Sequence, residues 1–173
     1  MKIAPKYLWA ALVCAVLAHA LVILATPLVL MNVAMSRVSE GSYNHWRLAP
    51  RVTEASRTIV RPSPDFAYSA CVYDLATGPV VIRTAPWDAY WSLSLYADNS
   101  DNFYVIGDRE ARPGADITLT RDARVEDAAN AVRSPSRRGI ALIRRLAPTP
   151  EAYAAVARIA DEDVCATLAH TAR

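Results

Sequence analysis

Lysine is almost absent from this chain: Lys2 and Lys6 are the only two, and all positive charge beyond them is arginine. After those first residues 17 arginines face 17 acidic residues, a formally neutral balance. A surface that neutralises nucleic-acid phosphates needs an excess of positive charge on one part of the chain, so none is expected. The densest basic stretch, Arg133, Arg137 and Arg138, lies among serines and a proline and reads as a solvated loop. Histidine is scarce as well, with three in the chain; beyond the N-terminal region only His45 and His170 remain, each toward one end. His-Glu-x-x-His and Gly-x-Ser-x-Gly are both missing, which leaves zincin and nucleophile-elbow chemistry without a signature. Ser63, Asp65 and His45 can be written as a triad, but such a set can be written for almost any sequence. Asp98, Ser100 and Asn102 are spaced like the first ligands of a calcium loop, yet Phe103 stands where that loop needs glycine and Arg109 where it needs glutamate. No metal and no cofactor is expected.

The longest absence is of charge: from Tyr7 to Ser36 there is no Asp, Glu, Lys or Arg. A bilayer is spanned by roughly 20 helical residues, so this run is long enough to cross with tilt or with one end protruding. Ala18-His19-Ala20 has the form of a signal-peptidase site, but cleavage there would leave Leu21 to Leu30 as an apolar N-terminus, and a permanent anchor is the better reading. Lys2 and Lys6 precede the run whereas Arg37 is soon followed by Glu40, so the N-terminus is expected in the cytoplasm and the rest outside. Within the run Ala11, Ala15, Ala18 and Ala25 align small residues on one helix face, with His19 beside them, a pattern suited to close approach of another helix. His19 reads equally as a contact to that helix or as a tolerated imidazole bonded within its own. Pro27 is expected to kink the helix or mark a change in its character, and Asn32 to lie at the outer boundary.

The organisation that follows is a cytoplasmic tail (1–6), a transmembrane helix (7–36), a juxtamembrane connector and helix (37–64) and an extracytoplasmic domain (65–173). Tyr43 and Trp46 suit an interfacial position. Leu48, Val52, Ala55 and Ile59 predict a helix over His45 to Val60, ended by Arg61-Pro62-Ser63-Pro64. Strands are predicted at Phe66–Leu75, at Val80–Ile82 as its hairpin partner after Gly78-Pro79, at Tyr90–Tyr96 and Phe103–Ile106 around an Asp98–Asn102 turn, and at Asp116–Thr120 and Gly139–Leu146. A weak helix is predicted around Val125–Ala131. A final amphipathic helix is expected from Pro150 through Leu168, capped by Thr149. The fold class is α/β in the α+β sense: a mainly antiparallel sheet with a C-terminal helix.

Cys14 falls in the apolar run and should behave as a small apolar residue. Cys71 and Cys165 are then the two cysteines of an outward-facing domain, where an oxidising compartment favours a disulfide. Two separately buried thiols are the alternative.

Several of these residues together resemble a family. His19 with Pro27, Ala70-Cys71-Val72-Tyr73-Asp74-Leu75, Trp91-Ser92-Leu93-Ser94-Leu95-Tyr96, Asn102-Phe103-Tyr104, Asp108-Arg109 and Cys165 are similar to the short membrane-anchored proteins of the domain-of-unknown-function 1254 family, of the alphaproteobacterial inner-membrane type. The resemblance implies one transmembrane helix, a periplasmic α+β domain, and a partner anchored protein of the related domain-of-unknown-function 1214 family; longer relatives fuse the two domains. The chain departs from the pattern at Gly107, where Asn is expected. The family brings no established activity, so two functions stand side by side. One is an envelope interaction or accessory protein, using the Ala11, Ala15, Ala18, His19 and Ala25 face and aromatics around Trp87, Tyr90 and Tyr96, as a homo-oligomer or hetero-complex. The other is a membrane-anchored hydrolase or small-ligand binder with a polar site drawn from Asp74, Asn102, Tyr104, Asp108 and Arg109.

Overall fold

A single uninterrupted helix, α1 (Pro5–Ser39), dominates the N-terminal part of the computed structural model, which describes residues 4–57, 61–122 and 130–168. Pro5 starts it at a position where a missing N–H costs nothing, and it ends where Glu40 and Gly41 both take positive φ. Pro27 lies inside without breaking it. The change of character expected there is present: residues 5–24 are exposed all round, whereas Met31, Met35 and Ser39 downstream are buried.

The rest is a two-sheet sandwich. One sheet has the order β1-β2-β8-β4-β5, from β1 (Trp46–Leu48), β2 (Phe66–Asp74), β4 (Trp91–Ala97), β5 (Asn102–Gly107) and β8 (Arg138–Leu146), all antiparallel neighbours. The other has the order β7-β6-β3-β9, from β3 (Val80–Arg83), β6 (Asp116–Thr120), β7 (Ala131–Arg133) and β9 (Val164–Thr167), with β6 and β7 parallel. Period-two burial along β8 turns Ala141, Ile143 and Arg145 inward; Trp91, Leu93, Leu95, Ile82, Ile117 and Leu119 complete the core between the sheets. The fold class is therefore α+β, as expected: a long apolar helix, a mainly antiparallel sheet domain and a C-terminal helix, α2 (Pro150–Ile159), whose Thr149 cap accepts a bond from the Ala152 amide at 3.2 Å.

The outer face of the five-stranded sheet is not left to solvent. Met31 and Met35 of α1 pack on Val72, with Val38, Tyr96 and Ile140 around them. Burying a methionine side chain contributes about 1.5–3 kcal/mol, so the two provide a substantial anchor. The regular alternation of β2 ends at Val72 for this reason: from Cys71 to Asp74 every residue is buried.

Several expectations are corrected. No helix occupies the described part of His45 to Val60; Trp46–Leu48 is an edge strand paired with Ser69–Cys71, and residues 58–60 lie outside the described residues. Of the residues at helical spacing, Leu48 and Val52 are half-buried, Ala55 is exposed and Ile59 lies outside the described residues. Trp46 is accordingly a core residue rather than an interfacial anchor. Val80–Ile82 does not pair with β2 but crosses to the second sheet, between β6 and β9. The last helix stops at Ile159; a 3-10 turn, Ala160–Glu162, then feeds β9, so Cys165 sits on a strand. The helix predicted around Val125–Ala131 falls mostly outside the described residues, and Ala131 itself begins β7.

Candidate functional site

Three places concentrate chemistry: the junction of α1 with the sheet, a buried ion pair, and a cavity at one end of the sandwich. At the junction the chain covers six residues, 40–45, between α1 and β1, and each turn of it is held. Arg47 bonds Glu40 at 2.8 Å and the Ser39 carbonyl at 3.2 Å. The Asn44 amide donates to the Asp74 carbonyl at 3.1 Å and to Thr167 Oγ1 at 2.9 Å, while its oxygen accepts from the Asp74 amide at 2.7 Å. One asparagine thus ties the connector to β2 and β9. On the helix itself, the Pro27 carbonyl accepts from Ser100 Oγ at 3.0 Å. The small-residue face lies elsewhere: Ala11, Ala15, Ala18 and His19 are exposed and Ala25 is half-buried. At about 100° per residue, the members of that face lie roughly 100–180° around the helix from the Met31 and Met35 side.

The five polar residues considered from the sequence do not converge as a set: of them, Asp108 and Arg109 share one cavity. Asp74 closes β2 in a structural role, accepting from Arg138 Nε at 2.6 Å, from the Ala76 amide at 2.9 Å, and lying 3.3 Å from Arg137 Nε. Burial alone would raise its carboxyl pKa, but the Arg138 hydrogen bond, the Ala76 amide and the two guanidinium charges outweigh it and hold the carboxyl below its ordinary range. Asp108 lies at the opposite end: its amide donates to the Trp91 carbonyl, whereas Asp74 pairs with Arg138 beside the Ala97 end of β4. Six residues of strand at ~3.3 Å each put about 20 Å between those ends, twice the separation that two carboxylates sharing one glycosidic bond tolerate. Asn102 is exposed opposite Tyr96, and Tyr104 lines a wide groove with Ile106 and Val132, its hydroxyl pKa raised by burial. Nor do the aromatics form one patch: Tyr96 is half-buried under α1, while Tyr90 is exposed and edge-on to Phe66.

Sequence reasoning missed the buried ion pair. Arg145 and Asp163 side chains are 1% and 0% exposed and bond twice, at 2.8 and 2.6 Å. Arg145 also donates to the Ala85 carbonyl at 3.1 Å, and Asp163 accepts from the Ala85 amide at 2.8 Å. The pair therefore grips the start of the loop 85–90. Its far side is held by Trp87 Nε1, which donates to the Leu146 carbonyl at 3.3 Å, and by the Leu146 amide bonding the Tyr90 carbonyl. The alternation of β8 was the available signal, because it places Arg145 on the inward face with Ala141 and Ile143.

That pinned loop forms one wall of a 260 Å³ cavity, lined by Trp87, Asp88, Trp91, Asp108, Arg109 and Arg112. The other wall is the turn after β5, closed by the Ala111 amide on the Gly107 carbonyl at 3.0 Å and by Glu110 accepting from the Gly107 amide. A Cβ at Gly107 would meet the Trp91 carbonyl at 3.0 Å, so the expected asparagine would press on that strand.

Cys71 on β2 and Cys165 on β9 form a disulfide, closing a separation of 94 residues. It joins the two sheets rather than a helix to a sheet. Cys14 is exposed on α1. Among the described residues no group of acidic, histidine or cysteine side chains could hold a metal.

The family model for proteins of unknown function designated DUF1254 matches residues 43–167. A crystal structure of the VPA0106 protein from Vibrio parahaemolyticus shares the fold, with a TM-score of 0.56 and 17% identity, over 85% of this chain and 38% of that one. A crystal structure of a putative uncharacterised protein from Burkholderia cenocepacia aligns with a TM-score of 0.46 and 18% identity, over 70% of this chain and 36% of that one. The chain thus spans under two fifths of the length of either structure. No curated protein matches it.

Proposed function

The chain belongs to the DUF1254 family, and on that footing we propose that it is a single-pass inner-membrane protein whose sandwich domain sits in the periplasm as an envelope interaction or accessory module, paired through its membrane helix with a second anchored protein. The observation that carries this reading is the junction: α1 passes without interruption from a fully apolar, exposed segment onto the sheet, and Asn44, Arg47, Met31 and Met35 fix it there. A tether needs only length, whereas a helix clamped to its domain transmits position, so whatever holds the helix orients the sandwich. Ala11, Ala15, Ala18 and His19 on that face are exposed, so a partner helix reaches them without meeting the domain. The disulfide supports an oxidising location, and Lys2 and Lys6 ahead of the apolar run support a cytoplasmic N-terminus. The expected partner is a domain-of-unknown-function 1214 type protein or a second copy of this chain.

Co-purification from membranes in mild detergent is the test. The wild type should elute as a complex, and Ala15→Leu with His19→Leu should release it while leaving the fold intact. A monodisperse, partner-free wild type sinks the proposal.

A further inference from the structure

The cavity beside Trp91 has a chemical character of its own, independent of the membrane helix. Its six lining residues include two arginines, Arg109 and Arg112, and two aspartates, Asp88 and Asp108, yet none of these four forms an ion pair among the described residues. Opposite charges within one small cavity that leave each other alone are poised for groups from outside. The Trp91 ring is 1% exposed, and its indole N–H is buried with no acceptor among the described residues. Trp87 supplies a second aromatic wall, fixed by its own bond to the Leu146 carbonyl. The loop carrying Trp87 and Asp88 is clamped by the buried Arg145–Asp163 pair, so this wall is preformed.

We propose that the cavity formed by Trp87, Asp88, Trp91, Asp108, Arg109 and Arg112 is a binding site for a small zwitterion of the amino-acid class. The ligand carboxylate is taken by the two guanidiniums, and the ligand ammonium by Asp88 and Asp108 beside the indole walls. A simple anion would meet two carboxylates, and a simple cation two guanidiniums; a molecule bearing both charges satisfies all four groups. The volume, 260 Å³, lies below that of drug-sized sites and sets the scale to a single amino acid. α-Amino acids and ω-amino acids share this chemistry and differ in the separation of their charges.

Isothermal titration of the full-length protein in detergent tests the site. The probes are glycine, L-leucine and γ-aminobutyrate, with N-acetyl-L-leucine and L-leucinamide as blocked forms. At least one zwitterion should bind, and its α or ω spacing identifies the source. Each blocked form should bind L-leucine's site at least roughly tenfold more weakly if the α class is correct, the scale for losing one charge-assisted interaction. Arg109→Gln with Arg112→Gln, both exposed and so harmless to folding, should abolish it. Absence of heat for every zwitterion up to about 10 mM, or acetylated and amidated forms that bind as tightly as L-leucine itself, overturns the proposal.

Discussion

Replacing Arg145 by methionine is expected to be the most damaging single change in the domain. The guanidinium makes two bonds to Asp163 and one to the Ala85 carbonyl, with both side chains essentially sealed from water. Without it, the Asp163 carboxylate keeps only the Ala85 amide at 2.8 Å and remains a buried charge with one donor. Breaking such a pair from one side costs about 3–5 kcal/mol. A domain of this size unfolds with an entropy near 0.25 kcal/mol per degree, so the midpoint should fall by roughly 12–20 °C. Asp163→Leu alone should cost a similar amount, because it strands the guanidinium. The double variant should recover much of the loss, since two apolar groups leave no charge behind; the coupling between the sites should exceed about 1.5 kcal/mol. Urea and thermal unfolding of the four proteins by circular dichroism measures this cycle. Single variants within about 1 kcal/mol of wild type, or a double variant no better than the sum of the singles, would refute the reasoning.

Other consequences can be checked alongside it. Cys71→Ser with Cys165→Ser opens a 94-residue loop and should lower stability by roughly 4–5 kcal/mol at most, with reductant reproducing the effect on the wild type and not on the variant. The depressed Asp74 carboxyl contributes stability that is present above its unfolded value, near 3.8, and is lost as pH falls through the lower folded value. Asp74→Asn should therefore flatten the acid limb of stability below about pH 4 while lowering the plateau above it. Met31→Ala with Met35→Ala should cost about 2–5 kcal/mol of helix docking and accelerate amide exchange across residues 39–44, read by hydrogen-exchange mass spectrometry.

Much of the sandwich was legible because its strands obey simple rules. The alternation of Trp91, Leu93 and Leu95 marked β4, the turn residues 98–102 marked its hairpin with β5, and the run Gly139–Leu146 marked β8. What stayed hidden depends on partners distant in sequence. Val80–Ile82 is equally apolar whether it pairs with β2 or crosses to β6 and β9, so local pattern cannot choose its sheet. Val164–Thr167 continues an apolar helical spacing, yet the backbone bonds to β3 and the disulfide to Cys71 draw it into a strand. The polar residues failed as a set because proximity in motif is not proximity in space: Asp74 and Asp108 terminate opposite ends of one sheet. The Trp91 cavity was legible only in part: Asp108, Arg109 and Trp87 were candidates, but its walls come from a loop before β4 and a turn after β5, which local pattern does not bring together.

The claim that the apolar helix is a binding element rather than a tether is tested most directly by photo-crosslinking in intact cells, with a photoreactive residue placed at position 15 and, as control, at position 24 on another side of the helix. Ala15 should yield a discrete protein adduct, identified by mass spectrometry as a second anchored chain of the related family or another copy of this one, and the control should not. Only lipid adducts at both positions, or the same proteins at both, would contradict the account.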